Sequence, residues 1–326
     1  MKKQIVVFFA VSLLYSNVHA ECNQPGFLDC GTTGDVHWYV SSDGKTLTFS
    51  GNGSMGVTVD HLTGETIAKE SNPHYTGNYE ESAIDRTSAP WGKYNNTVTN
   101  VNISEGVTSV SDRAFMGFDK VENISLPSSI EKIGFAAFAN TLSLKEVNIP
   151  DSVSVIPQAC FMNSGLENLK IPNSVVTIGT NAFTSADALV NIVVPDSVGA
   201  LHQEVFSNAQ NLSSIVIGDN VSSIREASFK KLPSDAVIYC QDGNGKHGGK
   251  SCVELINAVE TNFTGTIQPY TKVGQAMYAV TQNGKTRYYS SLSKMAKGID
   301  MKRIYTIEEA TDVSQKTGNM VKIRYK

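Results

Sequence analysis

The chain is poor in the residue types that mark most functional classes. It has no basic excess: 27 Lys and Arg stand against 31 Asp and Glu, a net charge of -4. Removing residues 1–20, which hold two lysines, makes the balance more acidic still, and that argues against a nucleic-acid partner, which needs a basic face. After residue 20 no apolar run is long enough to span a bilayer of roughly 30 Å as a helix, so no membrane span is expected there. Cysteine is sparse, with five in 326 residues. No Cys-x-x-Cys pair occurs and the six histidines are scattered, so the spacing of a metal site is missing. No metal and no cofactor are expected.

Catalytic signatures are missing too. There is no Gly-x-Ser-x-Gly nucleophile elbow. Cys160 and His202 are two structural units apart and could meet, but Cys160 takes an inward position and no third group is evident to orient a base. The stretch Gly243, Gly245, Gly248, Gly249 contains lysine but lacks the order of a phosphate loop and a following helix. Residues 241–326 hold one histidine, His247, which is little for a catalytic centre. No enzymatic function is expected, although an enzyme with its site in 241–326 stays as a third reading.

The first twenty residues resemble a secretory signal. Lys2 and Lys3 open it, Ile5 to Leu14 is apolar apart from Ser12, and Val18-His19-Ala20 supplies small residues for cleavage after Ala20. Export places the cysteines in an oxidising compartment, extracellular, cell-surface or periplasmic. Neighbourhood in sequence favours Cys22–Cys30 and Cys240–Cys252 as disulfides and leaves Cys160 over, while other pairings remain compatible with the sequence. The Asn-x-Ser/Thr sequons at Asn52, Asn95, Asn102, Asn123, Asn211, Asn220 and Asn262 matter only in a glycosylating host.

What the chain does have is a repeat. Strand ends recur at Ile103-Ser104, Leu126-Pro127, Ile149-Pro150, Ile171-Pro172, Val194-Pro195 and Ile217-Gly218, in steps of 22 or 23 residues. Eleven positions past each proline equivalent stands a phenylalanine: Phe115, Phe138, Phe161, Phe183, Phe206 and Phe229. Aliphatic residues hold fixed places between them, as at Val107, Ile130, Val153, Val175, Val198 and Val221. One such unit cannot bury its own apolar side. Stacking turns each position into a rung of a shared core, with the phenylalanines as a spine. Proline ends each strand because it has no amide to pair, and Asp151-Ser152, Asn173-Ser174 and Asp196-Ser197 suit the turn that follows.

This consensus resembles the BspA-type leucine-rich-repeat family of bacterial and some protist surfaces, over residues 98–240. Upstream, Cys30-Gly31, His37-Trp38-Tyr39-Val40, Asp43-Gly44 and Leu47 to Gly51 look like the hairpin that precedes such repeats, and Ala89-Pro90-Trp91 like the lead-in. The resemblance implies a curved solenoid that binds other macromolecules. The expected fold is an α/β solenoid: a leucine-rich-repeat arc of about six units of 22–23 residues, after a β-rich N-terminal cap (21–97) and before a small α+β module (241–326).

In the cap, Val36 to Val40 and Thr46 to Phe49 read as strands around a Ser41–Lys45 turn, and residues between Gly56 and Ala89 as an insertion that could be a contact loop. In the C-terminal module, Met277–Val280 and Thr286–Ser290 read as a hairpin with an Asn283-Gly284 tip, Arg303–Tyr305 as a short strand, and Met320–Tyr325 as a final strand. Thr306 and Glu309 form a capping box that predicts a helix to about Ser314, ended by Gly318-Asn319.

Alternation along each repeat strand points two columns outward, onto the expected concave face. The first is Asn100, Asn123, Glu146, Asn168, Asn191 and Ser214. The second is Asn102, Ser125, Asn148, Lys170, Val193 and Val216. They form a polar, mostly uncharged face with an apolar end, the candidate surface for a protein or glycan ligand on a host or neighbouring cell. Val193 and Val216 are expected to be exposed, adjacent and apolar, the marks of a contact site. The acidic positions Glu105, Asp151, Asp196 and Asp219 recur once per unit, too few oxygens for calcium, and are read as turn and cap residues. The leading reading is therefore macromolecular recognition or adhesion, and the alternative is an envelope scaffold tethered by the C-terminal module.

Overall fold

The computed structural model describes residues 26–56, 89–218, 220–241, 252–259, 263–270, 278–282, 285–289, 304–311 and 319–325. The expected signal, Cys22, the 57–88 insertion, the Gly243–Gly249 loop and the Asn283-Gly284 tip lie outside the described residues.

The repeat folds as a β-solenoid. A regular coil carries one longer strand, one short strand and a turn segment. The longer strands stack in parallel, one rung per coil: β3 (Thr46–Gly51), β5 (Asn100–Ile103), β7 (Asn123–Ser125) and β9 (Glu146–Val147). The N-terminal hairpin adds β1 (Phe27–Thr33) and β2 (Val36–Ser41), with β1 antiparallel to β2 and β2 antiparallel to β3, so the cap supplies the first rung itself. A second parallel sheet holds β12 (Asn191–Val194), β14 (Ser214–Ile217), β16 (Val237–Gln241) and β17 (Thr266–Tyr270). The short strands form two more sheets. One is β4 (Gly53–Ser54), β6 (Val107–Val110) and β8 (Lys132–Ile133). The other is β10 (Val155–Ile156), β11 (Thr177–Ile178), β13 (Ala200–Leu201) and β15 (Ser223–Ile224). No described repeat residue is in an α-helix, so the coils close through turns.

Between β9 and β12 the long-strand ladder is interrupted. The coil that carries Leu169 makes a single bridge on the long-strand side, Glu146 to Asn168, and forms no long strand. This is the 22-residue unit. Its residue is lost between Phe161 and Leu166, where Phe138 to Leu144 and Phe183 to Leu189 are one longer. The shortened turn draws Gly165 against its neighbour, where an added Cβ would stand 2.0 Å from the Leu142 carbonyl oxygen.

The interior is the predicted spine. All six phenylalanines are fully buried. Their rings lie 5.4–6.0 Å apart, within 16° of parallel, from Phe115 to Phe229. Offset stacking suits the ring quadrupole, and burial of each ring is worth about 1.5–3 kcal/mol. Aromatic residues also close the ends. Phe49 meets Phe115 edge-on at 5.7 Å and Trp91 at 4.8 Å, and the Trp91 Nε1–H donates to the Ala114 carbonyl at 2.8 Å. At the other end Phe263 lies 6.4 Å from Phe229. Beside it packs a helix absent from the sequence-based expectation, α1 (Cys252–Val259), which buries Ile256 and is fastened to β16 by the expected Cys240–Cys252 disulfide. Cys30 is disulfide-bonded as well, and its expected partner lies outside the described residues.

Two ladders that the consensus did not announce hold the coils together. The serine of each turn donates to a carbonyl one coil back: Ser129 to Val107, Ser152 to Ile130, Ser174 to Val153 and Ser197 to Val175, at 2.5–2.8 Å. The second flanks the phenylalanines. Two positions before each ring, Arg113, Ala136, Ala159, Asn181, Glu204 and Ala227 have φ between 49° and 59°. Two positions after it, Gly117, Asn140, Asn163, Ser185, Asn208 and Lys231 are left-handed too. A left-handed non-glycine residue costs about 1–2 kcal/mol. The conformation is offset by hydrogen bonds along the stack: the N–H groups of Arg113, Phe115 and Gly117 donate to the carbonyls of Phe135, Ala137 and Ala139 at 2.7–2.9 Å, and later coils repeat this.

The C-terminal module departs from expectation. It is a four-stranded sheet in the order β19 (Lys285–Tyr289), β18 (Tyr278–Gln282), β21 (Asn319–Tyr325), β20 (Ile304–Thr311). The hairpin and the last strand are as predicted, with Gln282 opposite Lys285 across the tip. The helix predicted from Thr306 is instead β20, paired antiparallel with β21 from Ile304–Tyr325 to Thr311–Asn319. A capping box offers only a local hydrogen-bond pattern. Pairing along the full length of β21 satisfies more backbone groups, and the β-branched Ile304, Thr306, Ile307 and Thr311 favour a strand.

Candidate binding surface

The outward side of the long-strand ladder divides into two parts. On β5, β7 and β9 burial is one-sided. Val101, Ile103, Ile124 and Val147 point into the core, while Asn102, Asn123, Ser125, Glu146 and Asn148 are exposed. Asn100, Asn168 and Lys170 are half-buried at the margin. The rungs are in register, with Asn100 opposite Asn123 and Asn102 opposite Ser125. Asn123 Nδ2 donates to Asn100 Oδ1 at 3.1 Å, which orients both amides. The strip therefore presents amide, hydroxyl and single carboxylate groups at fixed strand spacing, on a backbone held by the ladder. Beside it Lys145 and Glu167 pair at 3.0 Å across adjacent coils.

On β12 and β14 burial is two-sided. Asn191, Ser214, Val193 and Val216 were expected to be outward and exposed. They do point away from the core, yet Val216 is wholly buried and the other three are at most 8% exposed. That corrects the expected exposure of these four positions. The cause lies in the C-terminal sheet: β20 packs against β12, and β21 against β17. Tyr239, in register with Val216 on β16, is buried in the same row.

Other candidates resolve into structural roles. Cys160 is a free thiol inside the core, and burial pushes its pKa well above the ordinary thiol value. It is protonated at neutral pH and shielded from substrate, so it is no nucleophile. Glu105 accepts from the Ser128 amide at 3.0 Å, the Ser128 hydroxyl at 3.1 Å and the Ser129 amide at 3.3 Å. The Ser128 amide bond, with the other donors, holds its carboxyl below the usual range. Its role is to cap the next coil's turn. Among the described residues no three His, Cys, Asp or Glu side chains gather as a metal group.

In the cap, Asp29 accepts from Tyr94 Oη at 2.9 Å and pairs with Lys93 at 2.7 Å. Burial raises its carboxyl, but the bonds from Lys93 and Tyr94 outweigh that and leave it lowered. The contact ties β1 to the turn that leads into the first coil.

The profile of the BspA type leucine rich repeat region matches residues 93–208 and 154–273, in six copies, and together these cover more than half of the chain. The chain belongs to the BspA-type leucine-rich-repeat family. Its match runs past residue 240, in keeping with β17 as a further rung of the ladder. Among solved structures, a leucine-rich repeat protein from Bacteroides ovatus is 27% identical over 43% of this chain and 39% of its own, with a TM-score of 0.36. The chain thus spans well under half of that protein's length. The T. pallidum leucine rich repeat protein is 20% identical over 62% of this chain and 91% of its own, TM-score 0.37. A leucine rich cell surface protein from Faecalibacterium prausnitzii is 18% identical over 74% and 94%, TM-score 0.30. No curated protein matches the sequence.

The two left-handed columns and the serine ladder were missed from sequence. A signal existed for one of them: asparagine at Asn140, Asn163 and Asn208 is the residue that best tolerates a positive φ after glycine. Nothing in the strand pattern announced that β12 and β14 would be covered, except the change of the outward column from polar to valine.

Proposed function

We propose that this BspA-type chain is an exported recognition protein that holds a macromolecular ligand, protein or glycan, on the exposed strip of its first coils. The residues in contact would be Asn100, Asn102, Asn123, Ser125, Glu146, Asn148, Asn168 and Lys170. The observation that carries this reading is the one-sided burial of β5, β7 and β9, which leaves a rigid, polar, mostly uncharged face on a regular grid. A ladder of this kind is ordered before the ligand arrives, so little conformational freedom is lost on binding. The family supports recognition over catalysis, and the F. prausnitzii structure is of a cell surface protein. Export rests on the apolar segment at residues 5–14. Among the described residues no helix is long and apolar enough to cross a membrane.

The test uses the full-length protein against whole cells, matrix proteins and a glycan array. Replacing Asn102, Asn123, Ser125 and Asn148 together by alanine should lower binding at least tenfold without moving the melting transition, because all four are exposed. Binding that survives this variant but is lost on changing Thr108, Glu131 and Ser154, on the short-strand side, would refute the assignment. Absence of any ligand, with the chain still retained at the envelope, would favour the scaffold reading.

A further inference from the structure

We propose that the C-terminal sheet is a displaceable intramolecular occupant of the solenoid, masking an apolar half of the recognition face until it is released. Three observations converge. The outward row of the ladder changes chemistry partway along, from Asn102, Ser125 and Asn148 to Val193, Val216 and Tyr239. The last three are register partners on consecutive rungs, so they form one continuous row. The row is buried, and β20 packs against β12, the rung that carries Val193, with β21 against β17.

The sheet is built to leave as a unit. It satisfies its own backbone through the order β19, β18, β21, β20, and among the described residues none of these strands pairs with a strand of the solenoid. Among the described residues, undocking breaks no ladder hydrogen bond of either body. What joins the sheet to the solenoid is the packing of β20 on β12 and of β21 on β17, without a shared ladder. An edge-paired strand would instead lose a row of hydrogen bonds on leaving. Released, Val193, Val216 and Tyr239 would extend the polar strip with an apolar patch, the kind of surface that marks a protein contact. The partner admitted there is a protein that presents apolar side chains. The binding consequence rests on the recognition face proposed above. The masking itself does not, and its test uses no ligand.

Thiol labelling of the oxidised full-length protein decides it. Native Cys160 is fully buried in the core and reacts only on global unfolding, so it serves as the slow reference. Ser125→Cys, on the exposed strip, is the fast reference. Val193→Cys is the reporter, and Val216→Cys repeats it should the first variant misfold. The expected order is Ser125→Cys fastest, Val193→Cys at least tenfold slower, and Cys160 at least tenfold slower again. A Val193→Cys rate equal to that of Ser125→Cys would show that nothing masks the row. A rate equal to that of Cys160 would show that the sheet leaves only when the protein unfolds. Either result overturns the proposal, and neither touches the strip on β5, β7 and β9.

Discussion

At the scale of single residues, the solenoid depends on backbone conformations that side chains normally avoid. Ala227 has φ 59° and is half-buried, next to the last phenylalanine of the stack. Its methyl group gives no benefit that requires the left-handed conformation. Glycine there removes about 1–2 kcal/mol of strain and gives back about 0.4–1 kcal/mol through the freer unfolded chain. Ala227→Gly should therefore stabilise by about 0.5–1 kcal/mol on this balance, and Ala227→Val should destabilise, because a β-branched residue is an outlier at positive φ. Chemical denaturation of the two variants reads both signs. Stabilisation by valine would contradict the assigned backbone. The repeated use of alanine, asparagine, serine and charged residues at these positions shows how the strain is tolerated: each such coil gains hydrogen bonds along the stack that no isolated turn could make.

At the scale of elements, the phenylalanine column acts as one body. Phe183 sits fully buried between Phe161 at 5.7 Å and Phe206 at 5.6 Å. Phe183→Ala should cost about 3–5 kcal/mol, because the stacked rings on either side cannot close the space it leaves. A melting temperature unchanged from the parent would mean that the rings are not packed. The same scale explains the failed helix prediction. Thr306 and Glu309 carry a correct N-terminal helix signature, but a capping box is worth about 1 kcal/mol, and β20 gains a complete antiparallel partner in β21. The capping box lies in the seven residues around it, while β21 comes later in the chain, so only one of the two was visible in a local reading. The N-terminal hairpin shows the opposite case. There Val36–Ser41 and Thr46–Gly51 pair across a short turn, and the partner was within sight.

At the scale of the whole molecule, stability in a stacked array is a sum over neighbour contacts, and the weakest junction sets where opening begins. That junction is the 22-residue coil, bridged on the long-strand side only through Glu146 and Asn168. Amides of residues 168–171 should exchange faster than those of β7 and β14, as read by hydrogen–deuterium exchange. Uniform protection along the repeats would argue that the missing rung is compensated elsewhere. The interruption also falls where the outward face changes character, between the open polar strip and the covered apolar row. The solenoid thus consists of two ladders joined at one coil, each with its own surface chemistry.

Periodicity alone determined the coil, its inward aliphatic positions, the aromatic spine and the polar strip on the first rungs, because each of these follows from which residues recur and from the need to bury them between identical neighbours. The Cys240–Cys252 bond and the two hairpins were equally local. Whether Val193 and Val216 face solvent or another layer of the same chain was not a local matter. Their outward direction follows from strand alternation, but their burial depends on a sheet about a hundred residues further along the chain, brought there by packing. The sequence pattern specifies which way a side chain points, and only the tertiary fold decides what it meets.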